Sequence, residues 1–223
     1  MGDVAGGPIG IVCGLASEAA ALGKDAPFLI GVSGARPEKA ATEADRLIAA
    51  GVRVLISFGL AGALDPMLRP GDLVIPATII AEGGETYEVD PAWLEALDLE
   101  TSSGADRLLG TETIISTAAA KAALYAEYDA AAVDMESHRV AERARSAGLP
   151  FIAIRAIADP AKRALPAIAS SAVKPDGQID FGATLRGLIA APWQLPMLIQ
   201  LGGESAAGTA QLREMGKSLR VVA

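Results

Sequence analysis

The sequence predicts a three-layer α/β/α protein with a central mixed, mostly parallel sheet. Short apolar runs rich in β-branched residues recur between Ala-rich stretches, the pattern of strands covered on both faces by helices. The 51% hydrophobic content is mostly Ala, Val, Ile and Leu, with aromatics at only 4%, which suits close helix-on-sheet packing better than an aromatic-lined sandwich. At roughly 150 residues per domain, 223 residues make one α/β domain with an appendage. The division expected is residues 1–173 as the main domain and 174–223 as an apolar helical extension.

In chain order, strands are expected over Ile9 to Cys13, Phe28 to Val32, Val52 to Phe58, Leu73 to Ile80, Ala131 to Asp134 and Phe151 to Ile157. Helices are expected to start near Glu18, Pro37, Ala118 and Glu136, Pro37 suiting a first helical position because its φ is already helical. The Glu136 helix should stop at Gly148-Leu149-Pro150, where glycine accepts a left-handed cap and proline cannot continue the turn. Beyond a turn at Lys174-Pro175-Asp176-Gly177, the apolar segment Leu185 to Ile199 is broken by Pro192 and Pro196. It reads either as a terminal helix pair on the core or as a greasy lid beside a site, able to touch a membrane surface through residues 185–201.

Several function classes are excluded at this stage. A net charge of −8 with no basic cluster argues against nucleic acid, whose phosphates need concentrated Lys and Arg. One cysteine, Cys13, forms no internal disulfide, and one histidine, His138, builds no multi-histidine zinc site, so a reducing, cytoplasmic setting without a metal or other cofactor is expected. The N-terminal Met1 to Pro8 lacks a basic segment followed by a long apolar run, and no window holds about 20 uninterrupted apolar residues. A small-molecule partner is expected.

Acidic residues recur at strand ends. Asp134-Met135-Glu136 closes one strand and opens a helix, Asp159 follows another, and Glu18 lies on the loop after the first. Carboxylates at the carboxyl edge of an α/β sheet point into the crevice where such proteins bind ligands. Each also has a plain structural reading: acidic residues favour helix N-termini, and Asp before Pro160 is a common turn residue. Arg155, alone inside an apolar strand, demands a counter-charge. Gly59-Leu60-Ala61-Gly62 and Ser33-Gly34-Ala35-Arg36 read as small-residue turns where a backbone can approach a ligand, or as tight packing points. Neither is a P-loop or a dinucleotide fingerprint.

Taken in order, Ile9 to Glu18, Phe58 to Leu64 with Arg69 to Val74, Val133 to Glu136, and Arg155 to Asp159 resemble the nucleoside phosphorylase and methylthioadenosine/S-adenosylhomocysteine nucleosidase superfamily over residues 8 to 160. Within it, Ser33-Gly34-Ala35-Arg36 and the tail with Pro192-Trp193-Gln194-Leu195-Pro196 make the chain most similar to the hopanoid-associated phosphorylases, which remove adenine from adenosylhopane. An apolar tail is consistent with such a substrate, each buried methylene contributing about 0.8 kcal/mol.

The resemblance implies roles. Asp159 would be the general acid at purine N7. Glu136 would hold the ribose hydroxyls and stabilise oxocarbenium character, with Met135 packed beside the sugar. Glu18 stands where the hydrolytic nucleosidases activate water. Gly59, Leu60, Ala61 and Gly62 would lie beside ribose and base, and the main chain at Thr113 and Ile114 would hold the base. Three departures stand out. Ala158 replaces a serine that orients the acid, so that hydrogen bond is absent or comes from elsewhere. Leu60 replaces a serine, and Thr113 stands where an aromatic often stacks on the purine. For the nucleophile the residues leave two choices. Ser33, Gly34 and Arg36 could cradle inorganic phosphate as co-substrate, whereas water would need only Glu18. The resemblance to phosphorylases favours phosphate, and it implies a homo-oligomer. Two other readings are a soluble nucleosidase of methylthioadenosine or adenosylhomocysteine, and a non-catalytic nucleoside- or lipid-binding domain.

Overall fold

The computed structural model describes residues 7–23, 25–102, 104–165, 177–178 and 195–222. The strands are β1 Ile9–Cys13, β2 Phe28–Val32, β3 Val54–Ala63, β4 Leu73–Val74, β5 Thr78–Ala81, β6 Thr86–Glu88, β7 Arg107–Gly110, β8 Ala132–Asp134 and β9 Phe151–Asp159. The helices are α1 Ala16–Ala21, α2 Pro37–Ala49, α3 Pro91–Ala96, α4 Ala118–Tyr128, α5 Ser137–Ser146 and α6 Leu195–Val222. They form the expected three-layer α/β/α arrangement around a mixed, mostly parallel sheet.

The sheet runs β2-β1-β3-β8-β7-β5-β6, with β9 pairing β3 and β4 off that path. Parallel pairs join β1 to β2 and β3, β3 to β9, β5 to β7, and β7 to β8. Antiparallel pairs join β3 to β8, β4 to β9, and β5 to β6. β3 is shared: its first part pairs β9, and its end at Gly62 and Ala63 also pairs β8. All nine residues of β9 are buried, so its only charged interior side chain, Arg155, lies in the core.

Two expected strands change length for a physical reason. Leu73 to Ile80 divides into β4 and β5 around Pro76, which has no N–H to offer a ladder. Gly59 to Gly62, read from sequence as a turn, is the second half of β3, because β9 supplies hydrogen-bonding partners along it. β6, β7 and α3 fall outside the sequence-based elements. α5 ends as expected, with Gly148 at φ 65°.

α2 and α5 pack on each other and on the sheet, while α6 packs along β9 and against α1. The close approach of α6 depends on Gly208, where a Cβ would come within 2.8 Å of the Ile157 carbonyl oxygen and the Leu60 side chain. Residues 174–176 and 179–194, which include Trp193 and most of the apolar segment, lie outside the described residues. Among those that are described, no helix is long and apolar enough to cross a membrane.

Candidate active site

The carboxyl ends of β1, β3, β8 and β9 converge on a cavity of about 270 Å³, just below the roughly 300–1,000 Å³ usual for small-ligand pockets. It gathers Glu18, Leu60, Ala61, Gly62, Ile114, Met135, Glu136 and Asp159 from the residues singled out by sequence. The three carboxylates that stand at separate strand ends thus share one space.

Glu18 enters from α1. Its Oε2 accepts the Leu15 N–H at 2.8 Å, the reciprocal bond of a helix start, and its Oε1 accepts the Leu60 N–H at 2.8 Å. The carboxylate therefore ties β1's exit to β3. Burial raises its pKa, opposed by Arg155 and the two amides.

Behind the cavity wall sits one guanidinium among carboxylates. Arg155 Nη2 lies 2.5 Å from Asp134 Oδ2 and 3.7 Å from Glu136 Oε2, and it donates to Ser57 Oγ at 2.6 Å and Ser137 Oγ at 3.0 Å. Asp134 also accepts from Ser137 Oγ at 2.5 Å and from the Ser137 N–H, fixing the first turn of α5. With Asp134 taking the closest contact, Glu136 is left short of positive charge. Burial pushes its pKa up to about 8, Arg155 opposing and Asp134 and Glu18 adding to the rise. Gly59 does not line the cavity; it is the gap that admits this cluster, since a Cβ there would press on Arg155 Nη1 and lie 2.7 Å from Glu18 Oε2.

Asp159 lies at the end of β9, where the register against β3 shifts between Ala61 and Gly62. Ala158 is the extra residue, and such a bulge bends a strand and re-aims the side chain beside it. Asp159 is 7% exposed, and its Oδ2 accepts from Lys121 Nζ of α4, which also donates to the Pro160 carbonyl at 3.1 Å. The hydrogen bond that Ala158 cannot provide thus comes from a lysine. Burial raises the Asp159 pKa, with Lys121 pulling the other way.

The remaining expected residues stand apart. Thr113 is exposed and outside the lining; its carbonyl accepts from Thr111 Oγ1 at 3.0 Å. Ser33, Gly34 and Arg36 do not line the cavity, although Ala35 between them does. The Ser33 and Ala35 amides donate to the carbonyls of Cys13 and Gly14, the Ser33 hydroxyl is buried without a partner among the described residues, and Arg36 is exposed at the start of α2.

Sequence reasoning missed Lys121, Leu165, Leu201 and Ser205, all of which line the cavity. A lone lysine in an Ala-rich helix reads as a solvated charge, and only the long-range approach of α4 to β9 reveals otherwise. Asp134 is signalled in the sequence by its place beside Glu136.

A family model described as the phosphorylase superfamily matches residues 24–179, more than half of the chain. The chain belongs to the phosphorylase superfamily. Its fold is similar to that of the futalosine hydrolase of Helicobacter pylori, at 15% identity and a TM-score of 0.69, covering 96% of this chain and 97% of that one. It is equally similar to a 5′-methylthioadenosine/S-adenosylhomocysteine nucleosidase of Neisseria meningitidis in complex with methylthio-immucillin-A, at 15% identity and a TM-score of 0.69 over 95% and 97% of the two chains. A mutant Helicobacter pylori nucleosidase with 5′-methylthioadenosine in its active site matches at 17% identity and a TM-score of 0.64, over 95% and 98%. Comparison with proteins of curated function finds no match.

Proposed function

We infer that this member of the superfamily cleaves the N-glycosidic bond of an adenine nucleoside carrying a bulky apolar 5′ substituent, with adenosylhopane as the candidate substrate and phosphate as the nucleophile. The observation that carries the reading is the placing of Asp159 and Glu136 on one cavity together with an apolar wall of Leu60, Ile114, Ile115, Leu165 and Leu201. A nucleoside seated there would meet a proton donor for its base, a carboxyl group for its ribose hydroxyls and apolar surface for its 5′ end. As the C1′–N9 bond breaks, its electron pair moves onto the base and N7 takes the proton from Asp159. Donation of this kind contributes a factor of about 100 to 10,000. Glu136 meets the ribose hydroxyls as a hydrogen-bonding group, and Glu18, whose charged form two amide donors favour, stabilises the developing positive charge of the ribosyl ring. Phosphate would enter at the Ser33 to Arg36 turn, where a buried hydroxyl lacks a partner among the described residues.

A second reading, water in place of phosphate, rests on a specific observation. Glu18 lies inside the cavity with a raised pKa, whereas Arg36 stands outside it. Solved relatives with methylthioadenosine or its analogue support the adenine-nucleoside class under either nucleophile.

The test is adenine release from adenosylhopane, 5′-methylthioadenosine and S-adenosylhomocysteine, with and without phosphate, the sugar product being identified by mass. A ribosyl phosphate bearing the hopane supports the first reading, and a free ribose product supports water. Asp159→Asn is expected to lose at least 100-fold in adenine release, in line with the range for general acids; near-normal turnover in a folded variant refutes the assignment. Homo-oligomeric assembly and membrane contact through residues 185–201 belong to the same reading, checked by sedimentation and by vesicle flotation.

A further inference from the structure

We propose that Lys121 is the proton reservoir of this site, passing its proton through Asp159 to the departing base. The inference rests on the glycosidic-cleavage reading and adds to it a residue that the sequence pattern does not mark. Lys121 is 1% exposed, its Nζ donates to Asp159 Oδ2 and to the Pro160 carbonyl, and both Lys121 and Asp159 line the cavity. A lysine that served only as a counter-ion would keep Asp159 ionised and leave the leaving group without a proton. In a buried site the charged pair and its neutral form, amine plus carboxylic acid, are drawn together in energy, because burial penalises both charges.

The step balances. Lys121 first gives its proton to the Asp159 carboxylate, leaving a neutral amine beside a carboxylic acid; the C1′–N9 electron pair then goes to the base, N7 takes the Asp159 proton, and Asp159 is left as a carboxylate beside the amine. Solvent restores the ammonium as the nucleophile's proton is released. The other charges facing Asp159 are Arg163, held by Glu204 at 2.5 Å, and that same Glu204 from α6, whose influences oppose each other. Glu18, Asp134 and Glu136 line the same cavity from α1, β8 and the start of α5.

The experiment compares wild type, Lys121→Met and Lys121→Arg. It measures kcat/KM against pH on whichever of adenosylhopane and 5′-methylthioadenosine the wild type cleaves, and on 4-nitrophenyl β-D-ribofuranoside, whose phenolate leaves without a proton. Lys121→Met is expected to lose at least 100-fold on the adenine nucleoside near neutrality, with its alkaline limb moved to lower pH. The loss on the nitrophenyl riboside should be at least tenfold smaller. Lys121→Arg keeps the charge beside Asp159, and so the fold, but a guanidinium does not release a proton in this range. It should lose the adenine-nucleoside rate as Met does. Rescue by Arg, equal losses on both substrates, or faster adenine release by Met overturns the inference and leaves the functional reading standing. A wild type that cleaves neither kind of substrate overturns both.

Discussion

Asp134→Asn tests the charge arrangement behind the cavity. Asp134 is the nearest carboxylate to the fully buried Arg155, at 2.5 Å, and the next, Glu136, lies at 3.7 Å. Removing one partner of a buried pair costs about 3–5 kcal/mol, because the other charge is left uncompensated. Here Glu136 can respond. Its pKa of about 8 is due first to burial, but Asp134 contributes to it, so in the variant the Glu136 carboxyl ionises more readily and turns toward Arg155 as replacement counter-charge. In wild type the folded protein holds a proton on Glu136 that the unfolded chain, with a pKa near 4.5, has already lost; stability therefore falls as pH rises between those values. The variant falls less steeply, its deficit shrinking by about 1.4 kcal/mol for each unit by which Glu136 is relieved. Urea unfolding at pH 5 should show the full loss, equivalent to roughly 6–20 °C in Tm at about 2–4 °C per kcal/mol, and the gap should narrow at pH 8. A loss under about 1 kcal/mol at pH 5, well below the range for a broken buried pair, or one that widens toward pH 8, would refute the reasoning.

Glu136→Gln should gain stability relative to wild type as pH rises from 4.5 toward 8, since it has no proton to lose; denaturation midpoints whose difference is the same at pH 5 and pH 8 contradict this. Gly59→Ala would place a methyl against Arg155 Nη1 and Glu18 Oε2, and the resulting overpacking should cost about 1–3 kcal/mol and reduce base release, measured by thermal melts and product assays. Gly208→Val would press on the Ile157 carbonyl oxygen and Leu60 at 2.8 Å, tilting α6 away from β9. Because Leu201 and Ser205 of α6 line the cavity, KM should rise more than kcat falls, and an unchanged KM would count against that placement.

What the sequence made legible was local. β1 and β2 are uninterrupted apolar runs with clear breakers, and their bounds coincide with those expected. The carboxylates were found because each follows such a run. Gly59 to Gly62 misled because glycine and alanine read as a turn, when their small size is what lets β3 pass close to Arg155 and Asp159. Lys121 was invisible because its partner is 38 residues away, across α4 and β9, and no local pattern marks such a meeting. β6 and β7 were missed for a related reason: Thr86–Glu88 is too short to show alternation, and Arg107–Gly110 is held by β5 and β8 rather than by its own composition.

Of the four carboxyl groups on this small cavity, Asp134 is paired closely with Arg155, and the other three each have a different electrostatic setting. Glu18 is held by two backbone amides, which favour its charged form against burial. Glu136 faces an arginine already engaged by Asp134 and keeps its proton to about pH 8. Asp159 is paired with a lysine from a separate helix, which opposes the rise that burial imposes on its pKa. Environments that push proton affinities apart are how like groups come to take unlike roles in one site. Glycosidic cleavage needs that separation: a proton for the base, a hydrogen-bonding group at the sugar, and an acceptor on the nucleophile's side. A binding domain needs none of it, and five buried ionisable groups around an open cavity would only cost it stability. The differentiation of Glu18, Glu136 and Asp159 is therefore the structural reason to expect turnover and not mere capture.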